Sequence, residues 1–256
     1  MDHLQRIKQE FARQAAGFAT SAALTEGAPI QRIIDATGAD ATKLALDLAC
    51  GPGIVTAELA AVVREVVAFD LTPEMLAKAR ERCGKANLHN VTFKEGSATK
   101  LPFPEHHFDI VVTRAAVHHF QEPRRILGEA MRVMKKGGVL VVADVVSAEL
   151  AEKSALQNAI EILRDPSHVR MAAASELASL VQGCGLKIEM QETWDQPRAF
   201  EEWAGIVADP ERINPLRTIV AALARAGEDA GMGLSAAADG TLAFFHRWLL
   251  IAARKP

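Results

Sequence analysis

The sequence predicts an α/β protein: a doubly wound, seven-stranded, mostly parallel sheet with an antiparallel edge and a helical cap. Short apolar runs alternate with stretches of helical periodicity at the spacing of parallel βαβ units. The run Gly138–Val146 is apolar nearly throughout, as expected of a central strand covered on both faces. Two late strands, Leu186–Thr193 and Leu242–Ala253, have no long crossover between paired elements, which points to an antiparallel edge.

Apolar groups at Leu4, Ile7, Phe11 and Ala15 predict a first helix over 2–16, and a second over 28–37 ends at Gly38. Lys43–Ala49 reads as a buried strand and Ile54–Val63 as a helix. Glu65–Phe69 is the second strand. Thr72 offers a helix cap and Pro73 a first-turn residue for a helix over Pro73–Cys83. Val91–Lys94 and Phe108–Val112 are the third and fourth strands. Pro123–Met134 is helical, with Lys135–Gly138 as its basic, glycine-ended terminus. Beyond residue 147 come helices over Leu150–Leu163 and Ser175–Gly183, then a helical stretch over 199–227 broken at Pro210 and Pro215.

The chain of 256 residues suits one domain spanning 1–256, with the segments 1–28, 147–175 and 195–240 free to cover the sheet's carboxyl edge. A formal net charge of −3 provides no basic footprint for nucleic acid or an anionic membrane. Cys50, Cys83 and Cys184 are far apart, which argues against a disulfide framework or a zinc site. With no secretory leader or membrane-length apolar run at hand, the expectation is a cytoplasmic protein without a membrane span. No metal-ligand cluster is expected. The absence of tyrosine removes a common general base.

Ligands of open α/β sheets lie beyond the carboxyl ends of the strands, so the residues after each strand are the informative ones. The first group is Asp47-Leu48-Ala49-Cys50-Gly51-Pro52-Gly53, where glycines admit a ligand close to backbone or simply make a tight turn. Asp70 closes the next strand and can accept both hydroxyls of a ribose. Gly96-Ser97-Ala98 follows the third strand and can offer an adenine edge one backbone donor and one side-chain acceptor. A dinucleotide turn would carry a third glycine where Thr56 stands, and no Gly-Lys-Ser/Thr triplet is present to hold a triphosphate. Together these features describe a nucleoside without a pyrophosphate.

The stretches ALDLACGPGIVTAELA, VVAFDLTPEML, VTFKEGSATKLPFPEHHFDIVVTRAAVHHF and MKKGGVLVVADVV resemble the successive motifs of class I S-adenosylmethionine methyltransferases. The resemblance covers residues 10–190 and is closest to the ubiquinone/menaquinone-biosynthesis-like branch, which acts on small molecules. It implies a Rossmann-like fold. Asp47 and the Ala49–Gly53 backbone, including Gly51 and Gly53, would hold the methionine end of S-adenosyl-L-methionine. Asp70 would hold the ribose, Leu71 and Met75 would pack near the adenine, and Ser97 and Ala98 would meet its edge. Arg114 would lie beside the amino-acid portion. Family members often carry Asp where this chain has Ser97, which keeps an acceptor but removes the charge.

For catalysis the candidates are His118 and His119, one of which would face the pocket as base or hydrogen-bonding group, or else cap and pack. His168, in RDPSHVR, belongs to the predicted cap and either acts on the acceptor or bridges loops. Arg170 beside it could bind an acidic acceptor or pair with Glu161 or Asp165. Asp144 faces the same edge, as a substrate ligand or a satisfied buried carboxylate. Phe11, Phe18 and Trp194 could line an apolar acceptor pocket, although the helical spacing of Phe11 also suits plain packing. The QAAGF segment is expected, by resemblance, to fold over the cofactor. The expected reaction is methyl transfer to O, N or C of an aromatic or quinone-like metabolite, leaving S-adenosyl-L-homocysteine. The alternatives are a cofactor-binding protein without transfer activity and a nicotinamide-dependent oxidoreductase. A small-molecule acceptor, no nucleic acid, and a monomer or homodimer complete the expectation.

Overall fold

A computed structural model describes residues 2–21, 28–207 and 209–256. Helix α1 (His3–Thr20) opens with a reciprocal cap, in which Asp2 accepts from the Gln5 N–H and the Gln5 side chain accepts from the Asp2 N–H. Helix α2 (Ala28–Thr37) stops at Gly38, whose φ of +59° suits glycine. Then β1 (Leu44–Leu48), α3 (Ile54–Ala60), β2 (Glu65–Asp70), α4 (Pro73–Lys85) and β3 (Val91–Glu95) form successive βα units. Strand β4 (Phe108–Arg114) leads into a 3₁₀ turn over Val117–His119 and helix α5 (Pro123–Val133). Strand β5 (Met134–Val146), α6 (Ala151–Arg164), α7 (Ala174–Gly183) and β6 (Lys187–Ala199) follow. The chain ends in α8 (Phe200–Gly205), α9 (Pro210–Arg225), the short β7 (Ser235–Ala236) and β8 (Leu242–Arg254).

The sheet runs β3-β2-β1-β4-β5-β8-β6, with β7 paired to the start of β8. Strands β1 to β5 pair in parallel, whereas β8 is antiparallel to both β5 and β6. The expected α/β sheet with its antiparallel edge is therefore present. Strand order reverses between β1 and β4, and this switch point opens a crevice at their carboxyl ends.

Alternate residues of each strand feed opposite layers. Leu46, Leu48, Phe69, Phe108 and Leu140 join the layer of Leu127 and Val181, while Ala45, Val66, Ile110, Val112 and Val141 pack with Ile33, Val55 and Leu59. Each such large side chain contributes roughly 1.5–3 kcal/mol by leaving water. A third cluster of Ile160, Phe200, Trp203, Ile213, Leu216 and Phe244 binds the late helices α8 and α9 to α6 and β8.

Three details depart from the sequence reading. Lys135–Gly138 belongs to the start of β5 rather than the end of α5, because Met134 is already extended and pairs with Phe108. The helical stretch over 199–227 breaks before Pro210, which takes the first turn of α9, but not at Pro215, which lies inside α9. Ile213, Leu216 and Val220 are buried along one side of that helix and hold it past the proline. Strand β6 runs on to Ala199 because β8 supplies a partner for its whole length. Residues 1, 22–27 and 208, which fall in the expected cover segments 1–28 and 195–240, lie outside the described residues. Among the described residues, no helix is long and apolar enough to cross a membrane.

Candidate active site

A cleft enclosing about 1050 Å³, part of it open to solvent, lies at the switch point. Its polar end is made by the tips of β1, β2 and β4. Asp47 is fully buried at the end of β1, where Thr56 donates to it at 2.5 Å. Burial pushes its carboxyl up to about 7, against the Thr56 hydrogen bond and the nearby Arg114 charge. Asp70 accepts from Gly51 N and Thr72 N, both at 2.8 Å, and burial raises its carboxyl despite those bonds. Each oxygen keeps a further lone pair for a hydroxyl. Thr72 begins α4 without making a side-chain cap, and its own N–H is taken by the Asp70 carboxylate. Arg114 sits over the Trp248 ring at 5.1 Å, and burial lowers its guanidinium to about 10 while Asp47 and Asp144 pull it back up.

Ala49, Gly51, Leu71, Met75, Ser97 and Ala98 also line the cleft. Two glycines act differently. Gly51 has a φ of +53° and open space where a Cβ would stand. Gly53 does not line the cleft. Its φ is +76°, and a Cβ there would lie 2.7 Å from that of Ala79, so it serves the close packing of α3 on α4. The Ser97 hydroxyl lies 2.9 Å from that of Thr99, a cleft residue the sequence reading did not single out.

The far wall is apolar. Helix α1 contributes Leu4, Ile7, Phe11 and Phe18 to the lining, which also includes Ile54, Phe69 and Ile126. Phe11 and Phe18, expected as lining of an apolar pocket, do line this cleft, and Leu4 and Ile7 of the same helix join them. Phe11 meets Phe18 at 5.7 Å and the edge of His119 at 4.7 Å.

The three candidate histidines separate. His119 alone lines this cleft. His118 turns the other way. Its Nδ1 donates to Asp144 at 2.5 Å and it lines a side pocket with Arg170, Glu176 and Leu177. His168 reaches neither cavity, because it packs behind His118 and His119 at 4.4 and 5.1 Å. Burial and the two neighbouring rings hold it well below the ordinary histidine range, hence uncharged. Asp144 is a satisfied buried carboxylate, taking the N–H groups of Val117 at 2.6 Å and Val145 at 2.7 Å as well as His118, and it lies outside the main cleft. Arg170 is held by Glu176 in two bonds, at 2.7 and 2.5 Å, rather than by Glu161 or Asp165. Trp194 lies off the cleft, stacked on Trp248 at 5.9 Å with Arg32 above it. Among the described residues no group of three or more metal-ligating side chains is arranged to hold an ion.

The cleft fits an adenosyl amino acid on its own evidence: two buried carboxylates at the tips of β1 and β2, open space over Gly51, and an apolar slot beside Ala98 and Met75. A sheet with this strand order and this cleft defines the class I S-adenosylmethionine-dependent methyltransferases. Residues 46–142 match the family described as "Methyltransferase domain". The uncharacterized methyltransferase YcgJ of Bacillus subtilis is 30% identical over 205 residues, covering 79% of this chain and 81% of that protein. Its crystal structure superposes with a TM-score of 0.82 over 88% of this chain and 97% of that one, at 27% identity. A methyltransferase candidate from Bacillus halodurans superposes with a TM-score of 0.84 at 28% identity, over 90% of this chain and all of its own. Demethylmenaquinone methyltransferase of Renibacterium salmoninarum is 37% identical over 112 residues, covering 44% of this chain and 45% of that protein. The chain belongs to the S-adenosylmethionine-dependent methyltransferase family.

Proposed function

We infer that the protein methylates O, N or C of a small aromatic or quinone-like metabolite. The observation that carries this reading is the composition of one cleft: buried carboxylates for a polar cofactor at one end, and an α1 wall of Phe11, Phe18, Ile7 and Leu4 that suits a flat apolar acceptor. The partial similarity to a demethylmenaquinone methyltransferase supports the same acceptor class.

Asp47, with the backbone after β1, would hold the amino-acid end of the cofactor, Asp70 its ribose hydroxyls, and Ser97 and Ala98 its adenine edge. When bound, the cofactor supplies an electrophilic methyl group on a sulfonium. The chain's contribution is alignment and exclusion of water, with α1 closing one side of the cleft. His119, which lines the cleft, would take a proton or a hydrogen bond from the acceptor. Cys50, Cys83 and Cys184 are all free thiols, in keeping with a reducing cytoplasm. A monomer or homodimer without a nucleic-acid partner is part of the same reading.

The test is methyl transfer from radiolabelled S-adenosylmethionine to a panel of phenols, quinols and amines. A product from an aromatic acceptor supports the reading. Tight cofactor binding with no labelled product from any acceptor would favour a binding protein. Thermal stabilisation by NADH but not by S-adenosylhomocysteine would overturn the cofactor assignment.

A further inference from the structure

Behind the His119 ring stands a chain of hydrogen bonds that runs back to helix α1. Ser167 Oγ lies 3.2 Å from His119 Nδ1 and 2.6 Å from Asp165 Oδ1. The Ser167 N–H donates to the same carboxylate oxygen at 2.9 Å, and the Gln14 side chain of α1 donates to the other at 3.0 Å. All four residues are buried.

The protons in this chain can be placed. Burial works to raise the Asp165 carboxyl, but the nearby Arg164 charge and the two Ser167 bonds hold it below the ordinary range. An ionised carboxylate only accepts. The Ser167 hydroxyl has one proton, and at 2.6 Å from Asp165 it is committed there. The contact between Ser167 and His119 then needs its proton from the ring, so His119 carries hydrogen on Nδ1. Burial and the adjacent His118 lower His119 to about 4, so the ring is neutral and Nε2 holds a lone pair. The ring lines the cleft.

The geometry points to Ser167, Asp165 and Gln14 as positioning residues that fix His119 as its Nδ1–H tautomer and present Nε2 to the acceptor as a hydrogen-bond acceptor. This rests on the cleft being the transfer site, and it narrows the acceptor. The attacked atom carries a proton, as a hydroxyl, thiol or amine does. That proton passes to Nε2, and the imidazolium so formed stands against the Asp165 carboxylate through Ser167. Because Gln14 belongs to α1, seating that helix over the cleft completes the arrangement.

The experiment is long-range ¹⁵N–¹H NMR of the imidazole nitrogens at neutral pH, with the His119 signals assigned by their loss in His119→Gln. The wild-type protein is expected to show a protonated Nδ1 and a bare Nε2 at His119. Ser167→Ala should shift the ring toward the Nε2–H form, and Ser167→Thr, which keeps the hydroxyl, should restore the original pattern. An Nε2–H ring in the wild type, or an unchanged Nδ1–H ring in Ser167→Ala, overturns the inference. If Ser167→Ala does not fold, the wild-type and Ser167→Thr spectra decide alone. Calorimetry with S-adenosylhomocysteine on the same wild-type sample separates the two readings. Failure to bind defeats the enzyme assignment while leaving the tautomer as measured, and binding with the opposite tautomer defeats only this inference.

Discussion

One carboxylate oxygen of Asp70 accepts the backbone N–H of Gly51 at 2.8 Å. The tip of β2 thereby fixes the turn that follows β1, and its other oxygen fixes the start of α4 through Thr72. A single side chain sets the shape of two loops and offers its remaining lone pairs to the cleft.

Asp70→Ala should therefore weaken cofactor binding by about 2–3 kcal/mol, the loss of charge-assisted hydrogen bonds. That is roughly 30- to 150-fold in Kd by calorimetry with S-adenosylhomocysteine. Asp70→Asn should fall between the two. Equal affinity in all three proteins would remove Asp70 from the binding machinery.

Asp47 is expected to make cofactor affinity sensitive to pH. Burial holds its carboxyl at about 7 in the free protein, so below that pH it is largely protonated. The ammonium of the cofactor needs the carboxylate, and binding must then expel the proton. Affinity should rise as pH climbs toward about 7 and level off above it. Calorimetry in buffers of different ionisation enthalpy would count the released proton. A flat profile below neutrality would show that Asp47 does not pair with the cofactor.

Gly53→Ala combines a φ of +76° with a Cβ set 2.7 Å from that of Ala79. The expected cost is about 2 kcal/mol or more. For a chain of this size that is a fall in Tm of about 4–8 °C. An unchanged melting curve would mean that α3 and α4 part freely.

His119→Gln should slow turnover by roughly 100-fold or more, the lower end of what a positioned proton acceptor contributes. Cofactor affinity should stay near that of the wild type, since the ring meets Phe11 and Ser167 rather than the β1 and β2 tips. Once an acceptor is in hand, steady-state kinetics separates the two effects. Normal turnover would make His119 a packing residue.

The β1–β4 half was legible because its information is local. Asp47, Gly51, Asp70 and Ser97 each stand at or just beyond the carboxyl end of a strand, and strand order alone carries such positions to one edge. What the sequence hides lies between distant segments. Ser167 is 48 residues from His119, and Gln14 is 151 from Asp165. No periodicity links them. Trp194 shows the reverse error, since an aromatic residue in a late strand looks available until β8 sets Trp248 against it. His118 and His119 are adjacent in the chain, yet the 3₁₀ turn gives them to different cavities.

The place of β8 between β5 and β6 bears on how the molecule is made. Ribosomes deliver β6 first, and it has no direct partner in β5, so it must wait for residues 242–254 to emerge. Until then the nascent chain displays the unzipped margin of β5, rich in Leu140, Val141 and Val142. Such a margin invites pairing with other chains. Insertion of a long strand between two waiting neighbours is a slow, non-local closure. Chains interrupted before residue 242 are therefore expected to aggregate more readily than the whole chain.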